Sequence, residues 1–366
     1  MEKHNEQLLI IIGTVVVFRR QLISQVLKSP IENVRFLQRA RPEIAFLIYL
    51  TVASSMLLLL HFLETSFGLD KRTHIDSQTY IDKASGVCKD LIDLGIAGLP
   101  NRAMYCVVDV LGENGTIFLN SALVAFSSAL MMASLFKRKL PIFGVLAVLA
   151  IILAPYRLHL GIHLLKDSFI QFFVCMAVFS KFGSAWLVPL VIFRPGALIY
   201  APSLFRLRYF AFILLLSVLG VYLLFPGGWA LLLQVITEGN NLQFVFQEYD
   251  NIPTFQQFGP LGDLLRALVW PALLLTGAFF VISPAALFVP IAFTSLCTLG
   301  AVYVLRTSLN WEGVVLVYLG VAAIAYIAPG FTGFIRYSYP LVTVVLVSAL
   351  LGRQPLNWRQ AFCIDR

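Results

Sequence analysis

Charged side chains are scarce in this chain. Only 13% of its 366 residues are Asp, Glu, Lys or Arg, and 59% are hydrophobic, whereas a soluble domain carries about 25% charge. So few charges cannot cover a surface that faces water. The apolar residues form blocks of about 17 to 24, the length of a helix that crosses about 30 Å of hydrocarbon. The sequence therefore predicts an all-α polytopic integral membrane protein, with residues 1–366 forming a single membrane domain.

Several functional motifs are absent as well. The chain has no Gly-rich phosphate loop, no pair of CxxC motifs, no HExxH and no Ser/His/Asp order of note. Its formal net charge of +8 comes from Lys and Arg in short gaps between apolar blocks, a pattern typical of cytoplasmic loops in membrane proteins. No basic stripe with interleaved aromatic residues accompanies this charge, so we expect no nucleic-acid partner. Nothing in the sequence indicates a cofactor.

The apolar blocks predict about nine to ten transmembrane helices. The clear spans are 43–65, 116–136, 140–157, 160–180, 209–226, 264–284, 285–305, 313–329 and 337–351. The stretch 184–203 is apolar enough to insert, but it is interrupted by Pro189, Pro195 and Pro202. Discontinuous helices of this type are tolerated only against protein or a wet cavity.

The Lys and Arg residues in the gaps between spans also predict the orientation of these spans, because cytoplasmic loops retain positive charge. They place residues 1–42 in the cytoplasm, where an in-plane N-terminal helix is expected. They place the loop 66–115 outside, and parts of this loop are apolar enough to form amphipathic helices. If 184–203 crosses the membrane, the C-terminal tail 352–366 is cytoplasmic and Arg336 is outside; if it only dips in and returns, the tail is outside. The charge bias favours the crossing version.

The extracytoplasmic loop holds the first candidate site. Asp76 follows the first span, and Tyr80 comes four residues later. A carboxylate at this boundary meets both water and a lipid-linked substrate, so it can act as a general base toward a sugar hydroxyl. The alternative is a solvated acidic loop that caps an interfacial helix. Cys88 and Cys106 share the loop and can form a disulfide if it is extracytoplasmic, with two free thiols as the alternative.

A second polar cluster comprises Arg157, His159, His163, Lys166 and Asp167. On one continuous helix, His159, His163 and Asp167 would lie along a single face. Cations at this depth suit a phosphate or pyrophosphate group at the level of the lipid headgroups. In the alternative interpretation, Lys166 snorkels to the interface and Asp167 caps a helix. The two histidines and one carboxylate are compatible with a divalent metal but are weak evidence for one.

The third candidate is Arg336, which the span pattern places between two apolar helices, next to Tyr337. If 184–203 crosses the membrane, this arginine lies on the extracytoplasmic side. The enrichment of Lys and Arg in cytoplasmic loops does not explain a charge there. It then becomes a second candidate phosphate contact. Arg194 and Arg266 are weaker cationic candidates.

At these three places the chain resembles the GT-C superfamily of membrane glycosyltransferases, especially the bacterial group that builds or polymerises surface polysaccharide. Three short patterns carry the resemblance. They are Asp76-x-x-x-Tyr80 followed by Ala84, Lys166-Asp167-Ser168 preceded by Pro155, and Arg336-Tyr337-x-x-Pro340. Unlike many members, this chain has no soluble periplasmic domain, and its second acidic motif is not identifiable, with Asp82 and Asp109 as candidates.

The resemblance implies a GT-C-like fold and transfer of sugar units from an undecaprenyl-(pyro)phosphate donor to a glycan acceptor. Asp76 would be the catalytic base on the acceptor hydroxyl. The (pyro)phosphate would be held by Arg157, His159, His163, Lys166 and Arg336, and the further substrate contacts would be Tyr80, Asp167 and Tyr337.

The resemblance also implies a place and partners. The chain would be a multi-pass protein of the bacterial inner membrane, active in O-antigen or exopolysaccharide synthesis, either as a polymerase or as a single-sugar transferase. Its partners would be the lipid-linked glycan, membrane lipids and other polysaccharide-assembly proteins. Two other hypotheses remain: a transporter or flippase of lipid-linked oligosaccharide, which the broken segment 184–203 would suit, and a non-catalytic scaffold in a cell-envelope complex.

Overall fold

A computed structural model of the chain describes most of the predicted spans. The described residues are 42–69, 75–84, 95–135, 142–180, 183–194, 210–224, 260–276, 285–306, 309–327 and 331–351, with a few single residues between 202 and 258. Within these ranges every regular element is a helix. The predicted in-plane N-terminal helix and the C-terminal tail 352–366 lie outside the described residues.

The α-helices are numbered here in chain order. They are α1 (Pro42–Ser66), α2 (Ile75–Lys83), α3 (Gly95–Leu135), α4 (Ile142–Ile152), α5 (Pro155–Ile162), α6 (Asp167–Phe179), α7 (Leu187–Phe193), α8 (Phe210–Leu224), α9 (Pro260–Thr276), α10 (Ala285–Leu305), α11 (Trp311–Ile327) and α12 (Phe331–Leu351). Among the described residues, Glu43–Ser66, Arg102–Leu135 and Phe143–Ile162 are long and apolar enough to cross a membrane. The chain is therefore an all-α membrane protein, and the count of nine to ten spans stays a prediction.

Helix α1 shows how the protein meets the bilayer. Only 11% of its most apolar stretch is buried inside the protein, and large side chains such as Leu58 and Phe62 are exposed. Its buried stripe, which includes Ala53 and Leu57, packs against Val124 of α3 and neighbouring residues of α5. The exposed apolar face is what a lipid-facing helix requires, because lipid rather than water covers it.

The second predicted span, 116–136, belongs to a much longer helix. Helix α3 begins at Gly95 and bends at Gly112, whose φ of 68° and ψ of 174° suit only glycine. The Thr116 hydroxyl donates to the Gly112 carbonyl at 2.7 Å, which satisfies a backbone acceptor at the bend. The described part of the predicted loop 66–115 is therefore largely helical, since α2 and the first part of α3 lie within it.

The third and fourth predicted spans, 140–157 and 160–180, were expected to be separated at 158–159. The structure instead breaks this part of the chain at two other places. A turn at 153–154 separates α4 from α5, and Pro155 starts α5 at a position where a missing backbone donor costs nothing. The break between α5 and α6 falls at 163–166, where His163 has extended backbone. His159 therefore belongs to the helix before the break, and Asp167 begins the helix after it.

The interrupted segment 184–203 is only partly described. A 3₁₀ turn at Gly183–Trp186 leads into α7, which has seven residues and packs against α6 and α3. At 1.5 Å per residue α7 spans about 10 Å, far less than a bilayer. Helix α7 ends at Phe193, and the next residue, Arg194, has extended backbone. Whether the segment crosses the membrane stays a prediction.

Helix α6 lies at the centre of the bundle. It packs against α3 and α12, and α12 packs in turn against α11. The core around it contains large side chains from distant parts of the chain, among them Tyr156, Trp270, Phe334 and Tyr339. This packing brings the first residue of α6 beside the second turn of α12, where Arg336 lies.

Candidate functional site

Arg336 connects two carboxylates that are far away in the sequence. Its Nη1 donates to Asp76 Oδ2 at 2.7 Å, and its Nε donates to Asp167 Oδ2 at 2.6 Å. Both distances are typical of short charge-assisted hydrogen bonds. The three residues that carry the three predicted patterns therefore meet at one place.

Each of these side chains is positioned by its own helix. Asp76 lies in the first turn of α2, which is attached to the bundle because Ser77 Oγ donates to the Leu164 carbonyl at 3.1 Å. Asp167 is the first residue of α6, where a negative charge is stabilised by the exposed amides of a helix N-terminus. The structure places Arg336 inside α12 and not in a loop before the last span, because the two carboxylates compensate its charge.

Arg194 is a further cation at this place. Its Nη1 lies 3.3 Å from Asp167 Oδ1, and its guanidinium lies 3.9 Å from the centre of the Tyr337 ring. Asp167 thus has an arginine on each side, and Tyr337 positions one of them through a cation–π contact. From the sequence Arg194 was only a weak candidate, although an arginine inside an apolar segment is a functional signal in a membrane protein.

The members of this group differ in exposure. The Asp76 side chain is 45% exposed and that of Asp167 is 0% exposed, so Asp76 is the carboxylate that a bound substrate can reach. Lys166 is half-buried beside the same groups. Burial and the nearby Arg194 charge lower the pKa of Lys166 to about 8, although Asp167 acts in the opposite direction. We refer to Asp76, Lys166, Asp167, Arg194 and Arg336 as the Arg336 cluster.

The charges of the Arg336 cluster do not cancel. With all groups ionised, its three cations outnumber its two carboxylates. A partly exposed cluster with excess positive charge suits an anion, and guanidinium groups match the geometry of phosphate oxygens. The arrangement can therefore hold a phosphate group next to an accessible carboxylate.

Arg157 was predicted to contact the phosphate, but the structure places it elsewhere. Its side chain is buried, and it donates to Ser127 Oγ at 2.9 Å, Ser128 Oγ at 2.7 Å and the Ile152 carbonyl at 2.6 Å. Because these bonds hold the guanidinium between α3, α4 and α5, we assign Arg157 a role in joining helices.

His159 and His163 also lie outside the Arg336 cluster. His159 Nδ1 is 2.8 Å from Glu64 Oε1, and His163 Nε2 is 2.8 Å from Glu64 Oε2. The predicted common face with Asp167 does not form, because the chain breaks after α5 and turns Asp167 toward Arg336. Glu64 was not among the predicted site residues, although a carboxylate inside a strongly apolar span is a signal of function.

The loop 163–166 separates the two groups of polar side chains. The Asn120 amide donates to the carbonyls of His163 at 2.8 Å and Leu165 at 3.0 Å. These bonds satisfy backbone acceptors that would otherwise be unpaired inside the protein. The loop therefore begins with His163, which contacts Glu64, and ends with Lys166, which directly precedes Asp167.

Two remaining predictions concern Tyr80 and the cysteines. Tyr80 is buried and packs edge-on against Tyr105, so it supports α2 rather than presenting its ring to a substrate. Burial and the nearby Asp76 charge raise its pKa, which keeps the phenol neutral. Cys106 is disulfide-bonded, and its predicted partner, Cys88, lies outside the described residues. Cys175 and Cys297 are free thiols.

The fold and the Arg336 cluster define an all-α membrane protein with a charged site that joins its second, sixth and last described helices. No protein-family model matches the chain, and neither a curated protein nor a solved structure matches it. Any functional assignment therefore rests on the residues of this chain and their geometry.

Proposed function

We propose that the chain is a GT-C-like glycosyltransferase or polymerase of the bacterial inner membrane. It would transfer sugar units from an undecaprenyl-(pyro)phosphate donor to a glycan acceptor in O-antigen or exopolysaccharide synthesis. The observation that carries the proposal is the meeting of Asp76, Asp167 and Arg336 within hydrogen-bonding distance. Each belongs to a different one of the three patterns that resemble GT-C enzymes.

In the proposed reaction, the acceptor hydroxyl oxygen attacks the anomeric carbon of the donor sugar and forms the new glycosidic bond. The proton of that hydroxyl passes to Asp76, the exposed carboxylate of the cluster. The bond between the anomeric carbon and the phosphate oxygen breaks, and its electron pair leaves with the lipid (pyro)phosphate. Arg336, Arg194 and Lys166 stabilise the charge that develops on this leaving group.

The Asp76–Arg336 ion pair suggests how the base becomes available. Arg336 Nη1 donates to Asp76 Oδ2, so this carboxylate oxygen is already occupied as a hydrogen-bond acceptor. A donor phosphate that accepts from Arg336 Nη1 would replace Asp76 there and free its carboxylate for the acceptor. Asp167 would keep Arg336 in place through the bond to Nε. The base would then be released only when the donor is bound.

Two further observations support the proposal. Charges within a membrane protein are energetically costly and generally mark function. In this chain only 13% of residues are charged, yet five charged groups converge in the Arg336 cluster. Disulfide bonding of Cys106 suits an oxidising compartment, as expected for an extracytoplasmic loop that carries Asp76.

The direct test is the substitution Asp76→Asn, which keeps the size of the side chain and removes its basicity. We expect transfer to fall by about 100-fold or more, in line with the usual contribution of a general base. The assay would use the purified chain in proteoliposomes with undecaprenyl-pyrophosphate-linked glycan as donor. Polymer made by a deletion strain carrying the variant would be measured in parallel.

Asp82→Asn is the matched control. Asp82 lies on the same helix, is exposed, and accepts a hydrogen bond from Gln78 Nε2 at 2.6 Å, outside the Arg336 cluster. The sequence made Asp82 a candidate for the second acidic motif, but the carboxylates that pair with Arg336 are Asp76 and Asp167, so we expect this variant to retain wild-type transfer. Wild-type polymer from well-expressed Asp76→Asn protein would contradict the catalytic role of Asp76, and a transporter or scaffold would then be the better hypothesis.

The lowered pKa of Lys166 predicts a pH dependence. Lysine is cationic below its pKa, so a pKa of about 8 means that its charge is lost as the pH rises from about 7 to about 9. Affinity for the anionic donor should fall over this interval, seen as a rising KM. Lys166→Arg, which stays charged, should weaken that rise, and Lys166→Met should have a high KM throughout. An unchanged pH profile in Lys166→Arg would contradict a phosphate contact by Lys166.

A further inference from the structure

Three buried side chains converge at the end of α1, apart from the Arg336 cluster. We propose that Glu64, His159 and His163 form a binding site for a divalent transition metal ion, independently of the proposed transferase function. One donor atom from each residue lies within 4.8 Å of the others. All three residues are buried, so this is not a chance grouping of solvated surface charges.

The donor set suits zinc or a similar ion. Two imidazole nitrogens and one carboxylate are common first ligands of Zn²⁺, with bonds of about 2.0–2.2 Å. Such bonds in a tetrahedral arrangement separate neighbouring donor atoms by about 3.4 Å. The present distances from Glu64 to His159 Nδ1 and to His163 Nε2 are both 2.8 Å. The two Glu64 distances would therefore have to open by about half an ångström, and the two imidazole nitrogens, which lie within 4.8 Å of each other, would have to reach a similar spacing, for the ion to fit.

Water and the ion can reach the site through a cavity. This cavity of about 430 Å³ is lined by Glu64 and His163, together with His61, Thr65 and Asn114. Its volume leaves room for water in the coordination position that the three protein ligands do not fill. An open fourth position distinguishes such a site from closed structural zinc sites.

The surroundings hold the ligands in place. The Tyr156 ring stacks on His159, with ring centres 5.6 Å apart and planes inclined by 15°. Gly161 lets α5 approach α3 closely, since a Cβ at this position would lie 2.9 Å from Val124 Cγ2. This close approach and the Asn120 bonds to the following loop allow both imidazoles to reach Glu64 on α1. Fixed ligand orientation of this kind favours metal binding.

A bound ion would tie α1 to α5 and to the loop 163–166. That loop leads into Lys166 and Asp167, so the ion would stabilise the segment that carries part of the Arg336 cluster. Without a metal, the same three side chains are joined instead by the close contacts of the two imidazole nitrogens with the Glu64 carboxylate. Metal analysis separates these two states without any measurement of transfer.

The test uses the full-length chain, purified in detergent without a polyhistidine tag and stripped with EDTA. Zn²⁺ is added, unbound ion is removed, and the bound metal is measured by mass spectrometry. We expect about one Zn²⁺ per chain and a higher Tm than that of the stripped protein, because binding stabilises the folded state. Mg²⁺ should not replace Zn²⁺, because it prefers oxygen ligands.

Glu64→Gln should lose at least about nine-tenths of the bound Zn²⁺ and the rise in Tm. Glu43→Gln, at the exposed opposite end of α1, should retain both. Glu64→His, which keeps a metal-binding side chain, should recover part of the Zn²⁺. If stripped wild-type protein takes up no stoichiometric Zn²⁺, or if Glu64→Gln binds as much as wild type, the proposal is wrong whatever the variants' stability.

Discussion

Replacing Arg336 with alanine is expected to destabilise the protein by about 3–5 kcal/mol and to abolish transfer. The Asp167 side chain is 0% exposed, and Arg336 Nε and Nη2 both lie 2.6 Å from its Oδ2. Without Arg336, this buried carboxylate would still have Arg194 as an ion-pair partner, with Nη1 of Arg194 lying 3.3 Å from Asp167 Oδ1. Because Arg194 would compensate this buried charge only in part, the loss is of the kind that makes single substitutions strongly destabilising.

Arg336→Lys separates charge from geometry. Lysine restores a positive charge, but its single ammonium cannot contact both carboxylates with the planar arrangement of a guanidinium. We expect most of the lost stability to return, whereas transfer should stay at least about 100-fold below wild type. Stability would be measured by denaturant unfolding in detergent, and transfer by the proteoliposome assay. An alanine variant as stable as wild type would show that the Arg336 pairs contribute little to the fold.

The main elements of the Arg336 cluster could be predicted from the sequence because polar residues are so rare in it. In a chain of this composition, a charge near an apolar span is either paired or functional, which singled out Asp76, Asp167 and Arg336. Their meeting could not be derived, because it depends on how α2, α6 and α12 pack. Helix α1 was predicted almost to the residue, since nothing interrupts its apolar run.

The residues that lie elsewhere than predicted do so for a common physical reason. The stretch from His159 to Asp167 was treated as one helix. Hydrogen bonds from Asn120 and Ser77 to the carbonyls of residues 163–165 instead stabilise a non-helical loop at 163–166. Those partners lie more than forty residues away in the sequence, so local periodicity cannot reveal them. The position of Arg157 could not be derived for the same reason, because its serine partners belong to α3.

The last prediction concerns the Arg336–Asp167 pair as a unit. Asp167→Leu alone would leave Arg336 and Arg194 without the buried carboxylate between them and should destabilise the fold by about 3–5 kcal/mol. The double variant Asp167→Leu/Arg336→Met removes both buried charges and substitutes apolar side chains. Because a buried ion pair offsets its desolvation cost only in part, this double variant should be more stable than either single variant.

Transfer should behave differently from stability in these variants. The leucine and methionine side chains cannot donate hydrogen bonds to a phosphate, so the double variant Asp167→Leu/Arg336→Met should remain inactive although it folds. Unfolding free energies of both single variants and the double variant give the coupling energy of the pair. Additive effects would mean that the two side chains do not interact in the folded protein. Restored transfer in the double variant would instead remove Arg336 from the proposed mechanism, because the reaction would then proceed without its guanidinium.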